Sequence, residues 1–297
     1  MALLSAVSAQ QHLLPPVIFL VMLAVGMELK PSQFRDLVAQ PRVPLVGTLV
    51  HSLTFPALAV TALLTANLAE IDVTEATVLG VLLIAASPSG GFSNVLAMMA
   101  RANLPLSIVL TAVSSLLSFV SVPLLISGFG LLVLELQGDV SIPVGQTLVQ
   151  LGLLVLLPVI AGMWMSHFIG WLTQERVVKI QSRSQLLLYI TVALMIGENW
   201  NIMKTGIVEA LPWSMGLCIT NILACFWLSK FARIGTEDAV TIALEGSIRN
   251  LGIAFLIAAN TLNRPDIAVF PTVYFLSVLV IAILFAKTWR RLPGFSA

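Results

Sequence analysis

Apolar runs too long for a soluble core set the terms for this chain. Nine segments, at about 12–29, 43–67, 75–100, 105–134, 147–168, 185–205, 209–230, 236–262 and 269–288, are dominated by Leu, Val, Ile, Ala and Phe. Roughly 20 apolar residues make a helix that crosses a bilayer. Barrel strands would instead alternate apolar and polar residues over about ten positions. In lipid every backbone polar group needs an internal partner, so runs of this length read as spanning helices. Composition agrees: 58% of the residues are hydrophobic and 10% are charged, against about a quarter charged in a soluble domain. The expected fold is an all-α polytopic membrane protein with nine transmembrane helices, its bulk in contact with lipid.

The loops carry a signed asymmetry. Counting Lys30, Arg35, Arg42, Arg101, Arg176, Lys179, Arg183, Lys230, Arg233, Lys287, Arg290 and Arg291, twelve of the fifteen basic residues fall on one side of the alternating segments. Lys204 and Arg264 fall on the other, and Arg249 lies inside a segment. Basic loops stay in the cytoplasm. This places the C-terminus in the cytoplasm and the N-terminus outside, in a bacterial inner membrane. Trp171, Trp213 and Trp289 lie near segment ends and read as interfacial anchors.

Other signals are bland. Net charge is +1, which gives no footprint for nucleic acid. Cys218 and Cys225 sit in an apolar run and read as buried small hydrophobes, with no disulfide or metal spacing. The start, MALLSAVSAQ, lacks a basic n-region, so no cleaved signal peptide is expected. No cofactor is expected.

Two segments are poor helices. The third contains Ser87-Pro88-Ser89-Gly90-Gly91-Phe92-Ser93-Asn94, where proline removes a donor and two glycines loosen the backbone. The eighth contains Glu245-Gly246-Ser247-Ile248-Arg249-Asn250, with two full charges, each costing roughly 2.5–3.5 kcal/mol at a helix centre by insertion scales. Glu245 and Arg249 are spaced four apart, the favourable order for a helical ion pair. By the topology above the two segments run in opposite directions. Broken helices in inverted repeats, meeting near the midplane, are the mark of a secondary transporter. Ser114, Ser115 and Ser118 read as packing residues.

These residues resemble the bile acid:sodium symporter family. The resemblance runs through Gly26-Met27-Glu28-Leu29-Lys30-Pro31-Ser32-Gln33-Phe34, then Pro88, Gly90, Ser93-Asn94, Ser107, Thr111 and Ser114, and again Glu245 and Asn250. It implies the nine-helix form of a fold with a panel domain (1–36 and 147–206) and a core domain (37–146 and 207–297). The core would hold the breaks near 87–91 and 246–250. It implies a first sodium site at Ser93, Asn94, Ser107, Thr111 and Glu245, an oxygen set suited to a hard cation. It implies substrate contacts at Asn250, Ser89, Gly90 and Phe92.

The second ion site of the family departs here. Two family glutamines are replaced by His51 and Arg249, and a guanidinium neither accepts hydrogen bonds nor ligates a cation. The expectation is a sodium-coupled symporter of an organic anion, a bile acid or a smaller carboxylate, with one intact sodium site. A sodium-independent or proton-coupled carrier of the same fold is the alternative, with Arg249 neutralising Glu245 or His51 carrying a proton. An arsenite-type efflux carrier, which would need a cysteine in a break, ranks below both. A sensor without transport would need an added soluble signalling domain, and no connector is long enough for one. An intramembrane serine hydrolase built on Ser89 with His51 or His167 is the remote enzymatic reading, against the expectation of no enzyme.

Overall fold

The computed structural model describes residues 2–29, 41–137, 144–169 and 171–290. Lys30 to Phe34 of the family-like motif, Arg35, and Arg291 of the C-terminal tail lie outside them. Among the described residues all regular elements are helical. The helices are α1 (Ala2–Glu28), α2 (Arg42–Leu68), α3 (Glu75–Ala86), α4 (Phe92–Ala100), α5 (Leu104–Gln137), α6 (Val144–Leu151), α7 (Leu157–Phe168), α8 (Gln174–Glu198), α9 (Trp200–Phe231), α10 (Thr236–Ser247), α11 (Leu251–Phe255) and α12 (Val269–Arg290). Single π-helical turns join α6 to α7 at Gly152–Leu156 and extend α11 at Leu256–Thr261.

Among the described residues, four helical stretches are long and apolar enough to cross a membrane: Arg42–Leu68, Val149–Phe168, Trp200–Phe231 and Pro265–Arg290. A fifth counts if the two parts of α5, bent by 59° beside Phe119, act as one span. Pro123 explains that bend, because its ring clashes with the carbonyl four residues earlier, that of Phe119. Large apolar side chains such as Leu49, Trp164, Val208, Phe231 and Val280 point outward, as they must where the solvent is lipid.

Helix ends depart from the apolar pattern around the sixth segment. The sixth apolar segment begins at about residue 185, yet α8 starts at Gln174, capped by the Thr173 hydroxyl. Arg176, Lys179 and Arg183 are helical because a helix outruns the apolar stretch that anchors it. The helix stops at Glu198, and Trp200 opens α9 rather than closing α8. Lys204 lies in the second turn of α9, not in a loop.

Two helix groups emerge from the packing. Helix α1 packs mainly on α7 and α8. The approach of α1 to α7 is close because two glycines face it. A methyl group at Gly162 would lie 2.1 Å from the Leu23 carbonyl oxygen, and one at Gly26 as close to that of Val159. Small residues at such contacts let backbones meet where no hydrophobic effect drives association. The second group is α2, α3, α4, α5, α9, α10 and α12, with α9 against α2, α10 and α12.

Polar contacts tie the ends of the second group together. At one end Arg42 donates to the Ala232 carbonyl, and Asn103 bonds Asp238 and Thr241. At another, Thr74 bonds Glu209, and Arg264 bonds Glu75 and Asp266. The basic residues Arg42, Arg101, Lys230 and Arg233 belong to the first of these sets of helix ends.

Candidate functional site

Both polar interruptions are real breaks, and they meet. Helix α3 ends at Ala86, and α4 begins at Phe92. Helix α10 runs through Gly246 and Ser247 and ends there, one or two residues later than the charges alone suggest. Between them Ser89 and Arg249 form an isolated antiparallel bridge. Gly90 N–H donates to the Ile248 carbonyl at 2.9 Å, and Asn250 N–H to the Pro88 carbonyl at 2.8 Å. Two unwound segments thus satisfy part of each other's freed backbone groups.

Three more of the freed carbonyls also find partners. Gly246 accepts from Asn221 of α9 at 2.9 Å, and Ser247 from the Tyr274 hydroxyl of α12 at 2.8 Å. Ser87 accepts from Arg249 at 3.2 Å. Asn221 and Tyr274 are fully or almost fully buried. They are scaffold residues that the sequence did not single out. Asn221 was visible in principle as a lone amide in an apolar run.

One carboxylate organises the oxygen cluster. Glu245 is fully buried on the last turn of α10. The Ser89 and Thr111 hydroxyls each donate to its Oε1 at 2.5 Å, and Ser107 donates to Oε2 at 2.8 Å. Ser93 lies 3.3 Å from the Thr111 hydroxyl and donates to the Gly90 carbonyl. Asn94 Oδ1 lies 2.8 Å from the same Ser107 hydroxyl. A hydroxyl has one proton, so when Ser107 serves Glu245 the Asn94 oxygen keeps an open lone pair.

The structure therefore brings together Ser93, Asn94, Ser107, Thr111 and Glu245 from α4, α5 and α10. It adds Ser89, which the sequence placed with the substrate contacts. Hydroxyls, an amide oxygen and one carboxylate are a donor set that suits a hard cation. Transition metals prefer nitrogen and sulfur ligands, and the described residues include no cluster of three His, Cys, Asp or Glu.

Arg249 does not pair with Glu245. The four-residue spacing would stack them on a continuous helix, but Ile248 is extended, at φ −83° and ψ 108°, and turns Arg249 off the helix. Its Nη2 donates to the His51 carbonyl at 2.9 Å and its Nη1 to that of Ser87. The guanidinium lies 5.0 Å over the Phe55 ring. His51 is fully buried, and neither ring nitrogen has a hydrogen-bond partner. Its backbone, not its imidazole, meets Arg249. The Ser89 hydroxyl faces Glu245, so no serine–histidine pair forms with His51.

The other expected contacts, Gly90, Phe92 and Asn250, line a narrow cleft where the breaks face α1 and α8. Its free space of about 30 Å³ holds a water or two. Asn250 caps α11 by accepting from Ile253 N–H. Gln185 and Tyr189 of α8 complete the cleft. Gln181 and Gln185 also stand over the start of α4, where their amide nitrogens would meet a methyl group on Gly91 at 3.1 and 2.4 Å. This glutamine pair escaped the sequence reading, although its four-residue spacing on one helix face was the available signal. Cys218 and Cys225 are buried in the core, and Ser114 and Ser118 donate to carbonyls of their own helix.

Comparisons with known proteins give the family. The model of the sodium bile acid symporter family matches residues 15–206. The uncharacterized sodium-dependent transporter YocS of Bacillus subtilis is 26% identical over 279 residues, covering 92% of this chain and 82% of that protein. The probable sodium/metabolite cotransporter BASS2, chloroplastic, of Oryza sativa is 27% identical over 278 residues, covering 91% of this chain and 62% of that protein. The ileal sodium/bile acid cotransporter of Mus musculus is 25% identical over 284 residues, covering 93% of this chain and 78% of that protein. All three are transporters rather than enzymes. With two broken helices paired behind a buried carboxylate, and a family match over most of its length, the chain belongs to the sodium bile acid symporter family.

Proposed function

We propose that the chain couples sodium entry to uptake of an organic anion by alternating access, with one sodium held at Glu245. The observation that carries this reading is the fully buried carboxylate ringed by the Ser89, Ser107 and Thr111 hydroxyls. Sodium would take the lone pairs of Ser93, Asn94, Ser107, Thr111 and Glu245 while the hydroxyl protons turn outward. Arg249 stands in for a second cation. Its fixed charge already holds the carbonyls of Ser87 and His51 at the back of the breaks, so one sodium moves per cycle. His51 receives no proton-carrying role, because its ring reaches no acceptor or donor.

The substrate would sit on the opposite side, at the cleft of Gly90, Phe92 and Asn250. There the N-terminus of α4 and the Gln181 and Gln185 amides offer N–H groups to an anion. A bile acid or smaller carboxylate fits this chemistry, and the closed cleft must widen to admit either. The split of α1, α7 and α8 from the other helices supports a panel moving against a core. Pairing of inverted repeats across the two breaks, nine crossings, an outside N-terminus and an inner-membrane location complete the proposal. Uptake by the purified protein in vesicles, with sodium replaced by choline, tests it. Uptake of small and sterol-sized carboxylates should fall to background in choline, and full uptake there would overturn sodium coupling.

A further inference from the structure

Transport leaves one property of Arg249 unused. The residue is buried, and its Nε has no hydrogen-bond partner. No carboxylate among the described residues stands within ion-pair distance of it. The carbonyls of Ser87 and His51 solvate the guanidinium without neutralising it, and a buried cation without a counter-charge is costly. Two of its five N–H donors are used, which leaves three.

Arg249 also lines a groove of about 350 Å³ that shares no other residue with the substrate cleft. Ser87 and Pro88 lie beside Arg249 in its wall. Its flanks are apolar, with Leu49 and Leu53 from α2 and Leu117 and Leu124 from α5. These four leucines are 48–67% exposed, on a surface that meets acyl chains rather than water. The groove is thus an apolar trough with one unneutralised cation.

We propose that this groove binds a single-chain carboxylate amphiphile, a fatty acid, drawn from the bilayer. Its carboxylate meets Arg249 through N–H donors that the Ser87 and His51 carbonyls leave free, a charge-assisted contact. Its alkyl chain lies between α2 and α5. From Ser114 to Leu125 the wall follows about 16 Å of helical rise around the 59° bend, the contour of a medium-length chain. The volume lies at the lower end of the range of about 300–1,000 Å³ for small-ligand pockets. Depth selects the acid over a phospholipid. A carboxylic acid sheds its charge on protonation and so enters the hydrocarbon layer, whereas a phosphodiester stays charged and is held at the interface. The proposal stands apart from the transport reading, since it needs neither sodium nor substrate.

The test uses the full chain in lipid nanodiscs with dodecanoic acid carrying a terminal diazirine. Photolabelling should fall on peptides containing Leu49–Leu53 and Leu117–Leu124, and unlabelled dodecanoate should compete. Arg249→Gln should cut labelling by about ten-fold or more, the scale of one charge-assisted contact. Because that variant alters packing, Leu124→Trp serves as a second: it fills the mouth without touching Arg249 or Glu245. It should lose the label while keeping sodium-dependent thermal stabilisation. Equal labelling by the methyl ester, labelling of the groove by a diazirine phosphatidylglycerol instead, or undiminished labelling of folded Arg249→Gln would each overturn the proposal.

Discussion

The two breaks pair with each other residue for residue, yet they do opposite work. The first, Ser87–Gly91, is made of small residues and leads into oxygen donors: Ser89 at the break, then Ser93 and Asn94 on the first turn of α4. The second, Ile248–Asn250, carries the guanidinium of Arg249 and follows directly on the carboxylate of Glu245. Their backbones exchange two hydrogen bonds at 2.8 and 2.9 Å, so neither is the more regular. What differs is charge. A flexible break with neutral oxygens can hold a cation that comes and goes, while a break with its own cation is permanently filled. On the proposed function, one paired backbone solution would serve a mobile ion on one face and a built-in charge on the other.

Removing the shared carboxylate should erase the first half of that contrast. Glu245→Ala leaves three hydroxyls without their acceptor and a hard cation without its only charged ligand. Sodium-dependent uptake should disappear, and sodium should no longer raise the thermal midpoint of the purified protein. A sodium-induced shift equal to the wild type would place the ion elsewhere. Arg249→Gln attacks the second half. An amide offers an oxygen where the guanidinium had only donors. The Hill slope of sodium activation should rise from one toward two, and a slope that stays at one would mean that Arg249 does not occupy an ion position.

Thr111→Val sharpens the first half at nearly constant shape. The hydroxyl bonded to Glu245 at 2.5 Å is lost and the methyl volume is kept. A hydrogen bond to a charged group contributes about 1.5–3 kcal/mol, so apparent sodium affinity should weaken by about ten-fold or more with little change in maximal rate. Titration of uptake against sodium reads this directly. An unchanged half-saturation would show that Thr111 orders the apparatus without ligating the ion.

Much of this site was legible because its signals are violations. Proline, paired glycines and two charges inside apolar segments marked both breaks, and the oxygen-bearing residues around them matched a family pattern. What stayed hidden depends on distances that sequence spacing does not carry. Ser89 and Glu245 stand 156 positions apart, and nothing local tells whether that hydroxyl turns toward the carboxylate or the cleft. The Glu245–Arg249 spacing suggested an ion pair because a helical period was assumed through Ile248, where the backbone is extended. The start of α8 was missed because apolar content marks the hydrocarbon layer, and helices continue beyond it. Panel and core boundaries within the loops, and the side of the membrane each end faces, are not features of local geometry at all.

The smallest effect is expected at the support of the second break. Asn221 donates to the Gly246 carbonyl, which α10 frees by ending one residue later. Asn221→Leu removes the donor at similar volume and leaves a buried carbonyl without its side-chain partner. Leaving such a group unsatisfied costs about 1–3 kcal/mol, and a membrane interior offers no water to compensate. The variant should melt several degrees below the wild type. Because Gly246 adjoins Glu245, sodium affinity should also weaken, by less than in Thr111→Val since no ligand is lost. If thermal stability falls while sodium affinity stays fixed, the carboxylate is positioned by its hydroxyl partners alone. The two breaks would then be independent in energy although they are paired in structure.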